Sequence, residues 1–231
     1  MSLTVVCWRW GPLFGPEYVF RLRSMLRRHL HLPHRLVCIT DNPGALGDIE
    51  TLPITRFADT PRCRRRMWQY SCEAGRALGP RILSIDLDVV IVDDITPLVD
   101  RAEPIALWKV GYAGVYSGAF VLFDAGALHG AFAAYAAEPE AYPQRAQPKG
   151  IGSDQAMINL WLRESGTPVA EWTERNGLTT WFGDGYARSE RFGMGPGRPG
   201  LPPGARIVVL GSADKGVLEE CRCDWVREHW R

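Results

Sequence analysis

Apolar positions along this chain fall into short runs separated by polar turns, and their spacing alternates between two periods. Leu3–Trp8 (Leu-Thr-Val-Val-Cys-Trp) is an apolar run of strand length, the pattern of a strand covered on both faces. Gly11, Pro12, Gly15 and Pro16 interrupt it with a loop. From about Glu17, the residues Tyr18, Leu22, Met25, Leu26 and Leu30 recur at helical spacing, with Arg21, Arg23, Arg27 and Arg28 on the opposite side. Arg35–Thr40 reads as a second strand, ended by the turn residues Asp41-Asn42-Pro43-Gly44. Strand, helix, strand in this order predicts a parallel pair joined by a crossover. Pro61–Leu78 opens with Arg62, Arg64, Arg65 and Arg66 and continues into an Ala/Leu-rich helical stretch. Ile82–Ile85, Pro104–Trp108, Gly118–Phe123 and Arg206–Leu210 read as further strands. Helices are expected from about Ala125 to Ala137, from Ser153 through Leu162, and around Trp225, Val226 and Trp230. Glu138–Lys149 reads as a surface loop, and the Gly- and Pro-rich Asn176–Pro203 as an active-site loop or lid. This succession is that of an α/β protein with a central, mostly parallel sheet flanked by helices, in one domain over residues 1–231.

The organising stretch is Arg81-Ile82-Leu83-Ser84-Ile85-Asp86-Leu87-Asp88-Val89-Val90-Ile91-Val92-Asp93-Asp94. In an extended segment Asp86 and Asp88 leave the same face while Leu87 turns the other way. Two carboxylates at the end of a core strand are costly unless each is paired or bound to a cation. All-oxygen ligation selects Mg²⁺ or Mn²⁺ over zinc, and such an ion keeps positions open for phosphate oxygens. An Asp-x-Asp alone equally describes a solvated strand end. The buried run before it, the β-branched run after it, and Asp93-Asp94 leading into Ile95-Thr96-Pro97-Leu98 form a much rarer pattern. The expectation is a metal–diphosphate site at the carboxyl end of a central strand, where open α/β sheets hold their ligands.

Composition narrows the partners. The 231 residues are 46% hydrophobic and 23% charged with a formal net charge of +1, so no global field attracts nucleic acid or an anionic membrane. The arginine run of Arg62–Arg66 is too brief for a nucleic-acid surface and fits a diphosphate better, although a solvated helix start accounts for part of it. No apolar run reaches transmembrane length, and no secretory signal opens the chain, which points to the cytoplasm. Six scattered cysteines without a Cys-x-x-Cys pair read as reduced thiols there. Nine tryptophans are many; flat aromatics suit carbohydrate surfaces, but core packing accounts for most of them. Ser153 is a natural N-cap and Asp154 suits the first turn of a helix, which leaves Gln155 and the glycines of Gly150-Ile151-Gly152 without a structural reason.

Four segments together resemble the GT-A fold glycosyltransferases of family 8, the glycogenin-like and lipopolysaccharide galactosyltransferase-like enzymes. They are Ile82–Asp88 with Asp93–Leu98, Ser117-Gly118-Ala119-Phe120-Val121-Leu122, Asp154-Gln155-Ala156-Met157-Ile158-Asn159, and Arg206–Gly211 through Lys215. The resemblance implies a GT-A (Rossmann-like) domain and a nucleotide diphosphate sugar donor, UDP-linked in that family. The donor is held through Mn²⁺ or Mg²⁺ and the anomeric configuration is retained. Carried over by position, Asp86 and Asp88 would ligate the metal, with Asp86 also on the ribose-diphosphate. Tyr18 would lie near the base, Ser117 beside the donor, and Arg66 (or Arg65) at the basic position ahead of the motif. Lys215 would meet the diphosphate, and Asp154 and Gln155 the sugar and reacting carbon. The acceptor, whether glycan, lipid or protein, is not specified.

This chain departs from the family pattern in three places. Tyr116 stands where the family has Asn before Ser-Gly, and Val209 or Leu210 where it has a metal-binding His. Trp8-Arg9-Trp10 replaces an expected Asp and Asn. Two rival readings follow. A metal-dependent nucleotidyltransferase is disfavoured because Gly11-Pro12-Leu13-Phe14-Gly15 lacks a lysine. A non-catalytic nucleotide-sugar binder on the same fold draws on the missing His. No Gly-x-Gly-x-x-Gly follows the first strand, which counts against a dinucleotide enzyme.

Overall fold

The computed structural model describes residues 2–54, 59–60, 62–110, 115–147, 153–180, 200–210 and 224–231. Ten strands run in chain order as β1 (Leu3–Arg9), β2 (His34–Thr40), β3 (Glu50–Pro53), β4 (Arg81–Ile85), β5 (Val89–Ile91), β6 (Ile105–Val110), β7 (Val115–Asp124), β8 (Ala170–Trp172), β9 (Leu178–Thr180) and β10 (Ile207–Val209). The α-helices are α1 (Pro16–His29), α2 (Cys72–Leu78), α3 (Thr96–Val99), α4 (His129–Ala137), α5 (Ala141–Ala146), α6 (Asp154–Ser165) and α7 (Asp224–His229).

Seven strands form the central sheet in the order β3-β2-β1-β4-β7-β6-β8. β3, β2, β1 and β4 pair in parallel, β7 is antiparallel to both β4 and β6, and β8 returns parallel to β6. The expected α/β architecture with a mostly parallel central sheet is therefore present, and the β1–β2 pair is parallel as its crossover requires. Its period-2 alternation builds two cores from one strand. Leu3, Val5 and Cys7 face α1 and β5, whereas Val6 and Trp8 join the side chains of α2, α4 and α6. Cys7 and Cys38 are buried free thiols, neighbours across the β1–β2 register. A second sheet, β5-β10-β9, lies in the chain after the central motif, with β10 antiparallel to β5 and parallel to β9.

The structure differs from the sequence reading in three respects. Part of Glu138–Lys149 is helical: α5 forms there and buries Tyr142 completely, so an apolar anchor overrides a polar, Pro-containing stretch. The arginine-rich run is a 3₁₀ helix over Arg62–Tyr70, unusually long for that geometry, followed by the separately capped α2. Ser71 caps α2 by accepting from the Ala74 amide at 3.0 Å. Strands β3 and β8 lie on the two sheet edges and β9 ends the small sheet; none of the three has a long apolar run. Residues 181–199 of the expected lid lie outside the described residues. No helix among the described residues is long and apolar enough to cross a membrane.

Parallel pairing gathers the carboxyl ends of β1, β2 and β4 on one edge of the sheet, at Arg9, Thr40 and Ile85. Because β7 is antiparallel to β4, with Ile85 opposite Phe120, its amino-terminal residues Tyr116, Ser117 and Gly118 reach that same edge.

Candidate active site

The site begins where β4 stops. The Asp86 amide continues the pairing with β7 by donating to the Ala119 carbonyl at 3.0 Å, after which the chain turns through Leu87. Leu87 is buried and anchors the turn from below, while Asp86 and Asp88 stay half-buried. The far side of the turn is held by the small sheet, since the Leu210 amide donates to the Asp88 carbonyl at 3.0 Å. Both carboxylates thus sit on a turn pinned at each end by backbone bonds.

Asp86 has a cationic partner, which sequence reasoning had not paired with it. Arg66, from the 3₁₀ helix, donates from Nη1 to Asp86 Oδ1 at 2.5 Å and from Nη2 to the Gly118 carbonyl at 3.1 Å. Its Nε lies 3.1 Å from Asp154 Oδ2. One guanidinium therefore ties the central turn, the start of β7 and the start of α6. Asp154 is only 3% exposed, so its side chain turns inward to Arg66 although it stands in the first turn of a helix. Burial is the largest influence on its carboxyl group and raises its pKa; Arg66 opposes the rise and Asp86 adds to it. Burial alone would lower the pKa of Arg66, but Asp154 and Asp86 outweigh it and hold the guanidinium charged.

Gln155, the next residue, does not point inward with Asp154. Its Oε1 accepts from the Gly118 amide at 3.0 Å. Asn159, one turn later on α6, donates from Nδ2 to the Tyr116 and Gln155 carbonyls, both at 2.8 Å, and its Oδ1 accepts from the Tyr116 amide at 2.9 Å. Ser153 caps the helix by accepting from the Ala156 amide at 3.1 Å, as its sequence position suggested. The start of α6 is thereby clamped to the start of β7, and Gly118 makes the close approach possible. A Cβ at Gly118 would stand 3.3 Å from Gln155 Cβ and 3.7 Å from Asp154 Oδ2. Gly118→Ala is accordingly expected to overpack this seam and destabilise the protein by about 1–3 kcal/mol, read as a lower urea midpoint at unchanged m-value. An unchanged midpoint would mean that α6 is free to shift.

Two further side chains belong to the cluster and carried no sequence signal beyond their spacing from Arg66. Cys63 and Tyr70 lie on the same 3₁₀ helix, and Cys63 stands three residues before Arg66, the eclipsed position for this helix type. The Cys63 thiol is pushed up to about 11 by burial and then by Asp154, with smaller contributions from Asp86 and Asp88. Burial and Asp154 likewise raise the Tyr70 hydroxyl.

The remaining predicted residues are placed as follows. Ser117 bonds locally, its Oγ accepting from the Ala119 amide at 3.1 Å. Tyr18 is in the core, packed edge-on against Phe14 and Trp230 with ring centroids 4.9 and 5.0 Å away. Lys215 lies outside the described residues.

No group of three His, Cys, Asp or Glu side chains suited to a metal is present among the described residues. What the turn offers is a pair of carboxylates, Asp86 and Asp88, with Asp86 Oδ1 accepting from Arg66. That donor set fits Mg²⁺ or Mn²⁺, which are held by one or two carboxylates and otherwise by phosphate oxygens and water, and it does not suit zinc. No protein-family model matches the chain, and no curated protein matches it.

Proposed function

We propose that the protein is a GT-A-type glycosyltransferase that moves a sugar from a nucleotide diphosphate sugar, UDP-linked by resemblance, to an acceptor alcohol. The observation that carries this reading is the Asp86–Arg66–Asp154 bridge. At the carboxyl edge of the sheet it joins Asp86, Gly118 and Asp154, which lie in three segments that resemble the family pattern.

The chemical problem is departure of a nucleoside diphosphate from an anomeric carbon, with negative charge growing on the leaving oxygens and positive charge on the sugar ring. Asp86 and Asp88 would hold a divalent cation, which supplies Lewis-acid neutralisation of the diphosphate when bound. Arg66 fixes the rotamer of Asp86 in advance, so the turn does not reorganise as charge develops. It also keeps Asp154 buried beside it, placing fixed negative charge beneath the reacting centre where an oxocarbenium-like ring gains from it. Gln155, its Oε1 spent on the Gly118 amide, presents its amide nitrogen as a donor to a sugar hydroxyl.

A thermal-shift panel of nucleotide diphosphate sugars, with and without Mn²⁺, tests the reading. One nucleotide series is expected to stabilise the protein in a Mn²⁺-dependent way, by about 2.7 kcal/mol at a hundredfold excess over Kd. Mn²⁺-dependent release of the nucleoside diphosphate then separates a transferase from a binder. Release of inorganic diphosphate would instead identify a nucleotidyltransferase, and no stabilisation by any nucleotide sugar would end the proposal.

A further inference from the structure

We propose that α7 and Trp230 form a proton-released latch, held against the end of α1 near neutral pH and let go when the His29 imidazole takes up a proton. The latch works in the same way whatever chemistry takes place at Asp86 and Asp88. Three of the chain's five histidines, His29, His31 and His229, meet where α1, α7 and the stretch Asp93–Thr96 come together. The rings of His29 and His229 lie 6.5 Å apart, centre to centre.

α7 is held to α1 by bonds that carry no opposite charge. Arg28 donates from Nη1 to the Arg231 carbonyl at 2.8 Å and from Nη2 to the His229 carbonyl at 2.5 Å. Trp230 is buried, packed edge-on against Tyr18 and lying 3.7 Å, ring centre to guanidinium, from Arg21. The other side of the junction is fixed more firmly. The Ile95 amide donates to the His29 carbonyl at 2.8 Å, and the His31 amide to Thr96 Oγ1 at 2.9 Å. Strain arising at His29 is therefore relieved by moving α7, because the end of α1 is tied to the stretch after β5.

A proton on His29 produces such strain. The ring is half-buried, and its Nε2 is closed to solvent with no bond partner among the described residues. A neutral imidazole tolerates this by leaving Nε2 unprotonated, whereas an imidazolium carries a hydrogen on both nitrogens. The charges that face the ring oppose a new cation. Arg28 stands beside it on α1, His229 faces it from α7, and His31 follows α1. Asp93 favours the protonated ring, but it is 65% exposed and lies 3.9 Å from Arg206. Asp94 accepts from the Thr96 amide and lies 3.8 Å from His31. On α7, Asp224 and Arg227 face each other at 3.9 Å, and Glu228 is exposed. Burial first, then Arg28 and His229, lower the His29 pKa, and they outweigh both Asp93 and the negative end of the α1 dipole. A base whose pKa is lowered in the closed state contributes stability that is complete above its ordinary 6.5 and is lost as pH falls below it. Release reaches the candidate site through β5. That strand begins immediately after Asp88 and is backed by α1, where Met25 Sδ accepts from the Ile91 amide at 3.2 Å.

Hydrogen–deuterium exchange at pH 7.5 and 5.5, corrected for the intrinsic pH dependence of exchange, tests the latch on wild type, His29→Gln and His31→Gln. In wild type the protection of amides 224–231 should fall about 3- to 10-fold at the lower pH, as proton-linked opening of one histidine gives. Amides of β1 should keep theirs. His29→Gln should lose the pH response, and His31→Gln, whose ring is 62% exposed, should retain it. Equal protection at both pH values in wild type overturns the proposal. So does a parallel loss in β1, which would be general acid unfolding, or a wild-type response in His29→Gln. If His29→Gln frees α7 at both pH values, His229→Gln decides: a response smaller than that of wild type supports the latch, and an equal one overturns it.

Discussion

Arg66→Met is expected to destabilise the protein by about 3–5 kcal/mol, the usual consequence of leaving a buried charge without its partner. The side chains of Arg66 and Asp154 are 7% and 4% exposed, so water does not replace the lost bonds. The melting temperature should fall by on the order of 10 °C for a chain of this size. The deficit should also depend on pH. The carboxyl pKa of Asp154 is already raised above its ordinary 3.8 by burial, and Arg66 is the side chain restraining the rise. Without Arg66 it climbs further. A carboxyl whose folded pKa is raised binds more protons folded than unfolded, so its contribution is intact below about 3.8 and is lost as pH rises through the folded value. Melts of variant and wild type should therefore differ less at pH 4.5 than at pH 7.5. Adding Asp154→Asn to Arg66→Met should recover part of the loss, because the second change removes the orphaned charge. Arg66→Lys keeps a charge but cannot reach Asp86, Asp154 and the Gly118 carbonyl together, and should fall between. A variant as stable as wild type at both pH values would show that the bridge does not hold these segments together.

The same bridge shows which parts of the site were legible in the sequence. Asp86 and Asp88 stood out because a buried apolar run makes any charge at its end conspicuous. Their partner did not, since Arg64, Arg65 and Arg66 are chemically equal in a linear reading. Only the 3₁₀ geometry separates them: Arg64 lies 3.5 Å from Glu140, Arg65 stacks on Trp10, and Arg66 alone turns into the cluster. Ser153 was legible as a cap because capping is local. The inward turn of Asp154 was not, because it depends on a residue on another element. Long apolar strands were found with ends accurate to a few residues. Glu50–Pro53 and Ala170–Trp172 escaped because edge strands need only one neighbour and carry little apolar pattern. Arg9 stood out in the sequence only as a departure from a family pattern, and its burial, with Nε and Nη1 unbonded among the described residues, becomes visible only in three dimensions.

The second large effect is on chemistry, and Asp88 is the cleaner place to look for it. Asp86→Asn would disturb the ion pair with Arg66 as well as any cation, so a loss of activity there mixes two causes. The Asp88 backbone carbonyl accepts from the Leu210 amide, and a side-chain change leaves that bond in place. Asp88→Asn keeps the shape of the turn and removes one of the two charges available to a divalent cation. Sugar transfer should fall about 100-fold or more, since a catalytic cation supplies several kcal/mol and each 1.4 kcal/mol is tenfold in rate. The Mn²⁺ concentration needed for half-maximal UDP binding should rise about 10- to 100-fold. UDP affinity measured in EDTA should hold or rise, because without the cation the Asp88 carboxylate only repels the diphosphate. That combination separates a ligand to the cation from a residue that merely shapes the pocket, whose loss would weaken binding with and without Mn²⁺ alike. Full transfer activity in Asp88→Asn and in Asp86→Asn would mean that the leaving diphosphate is stabilised elsewhere, and the Asp-x-Asp turn would then be structural.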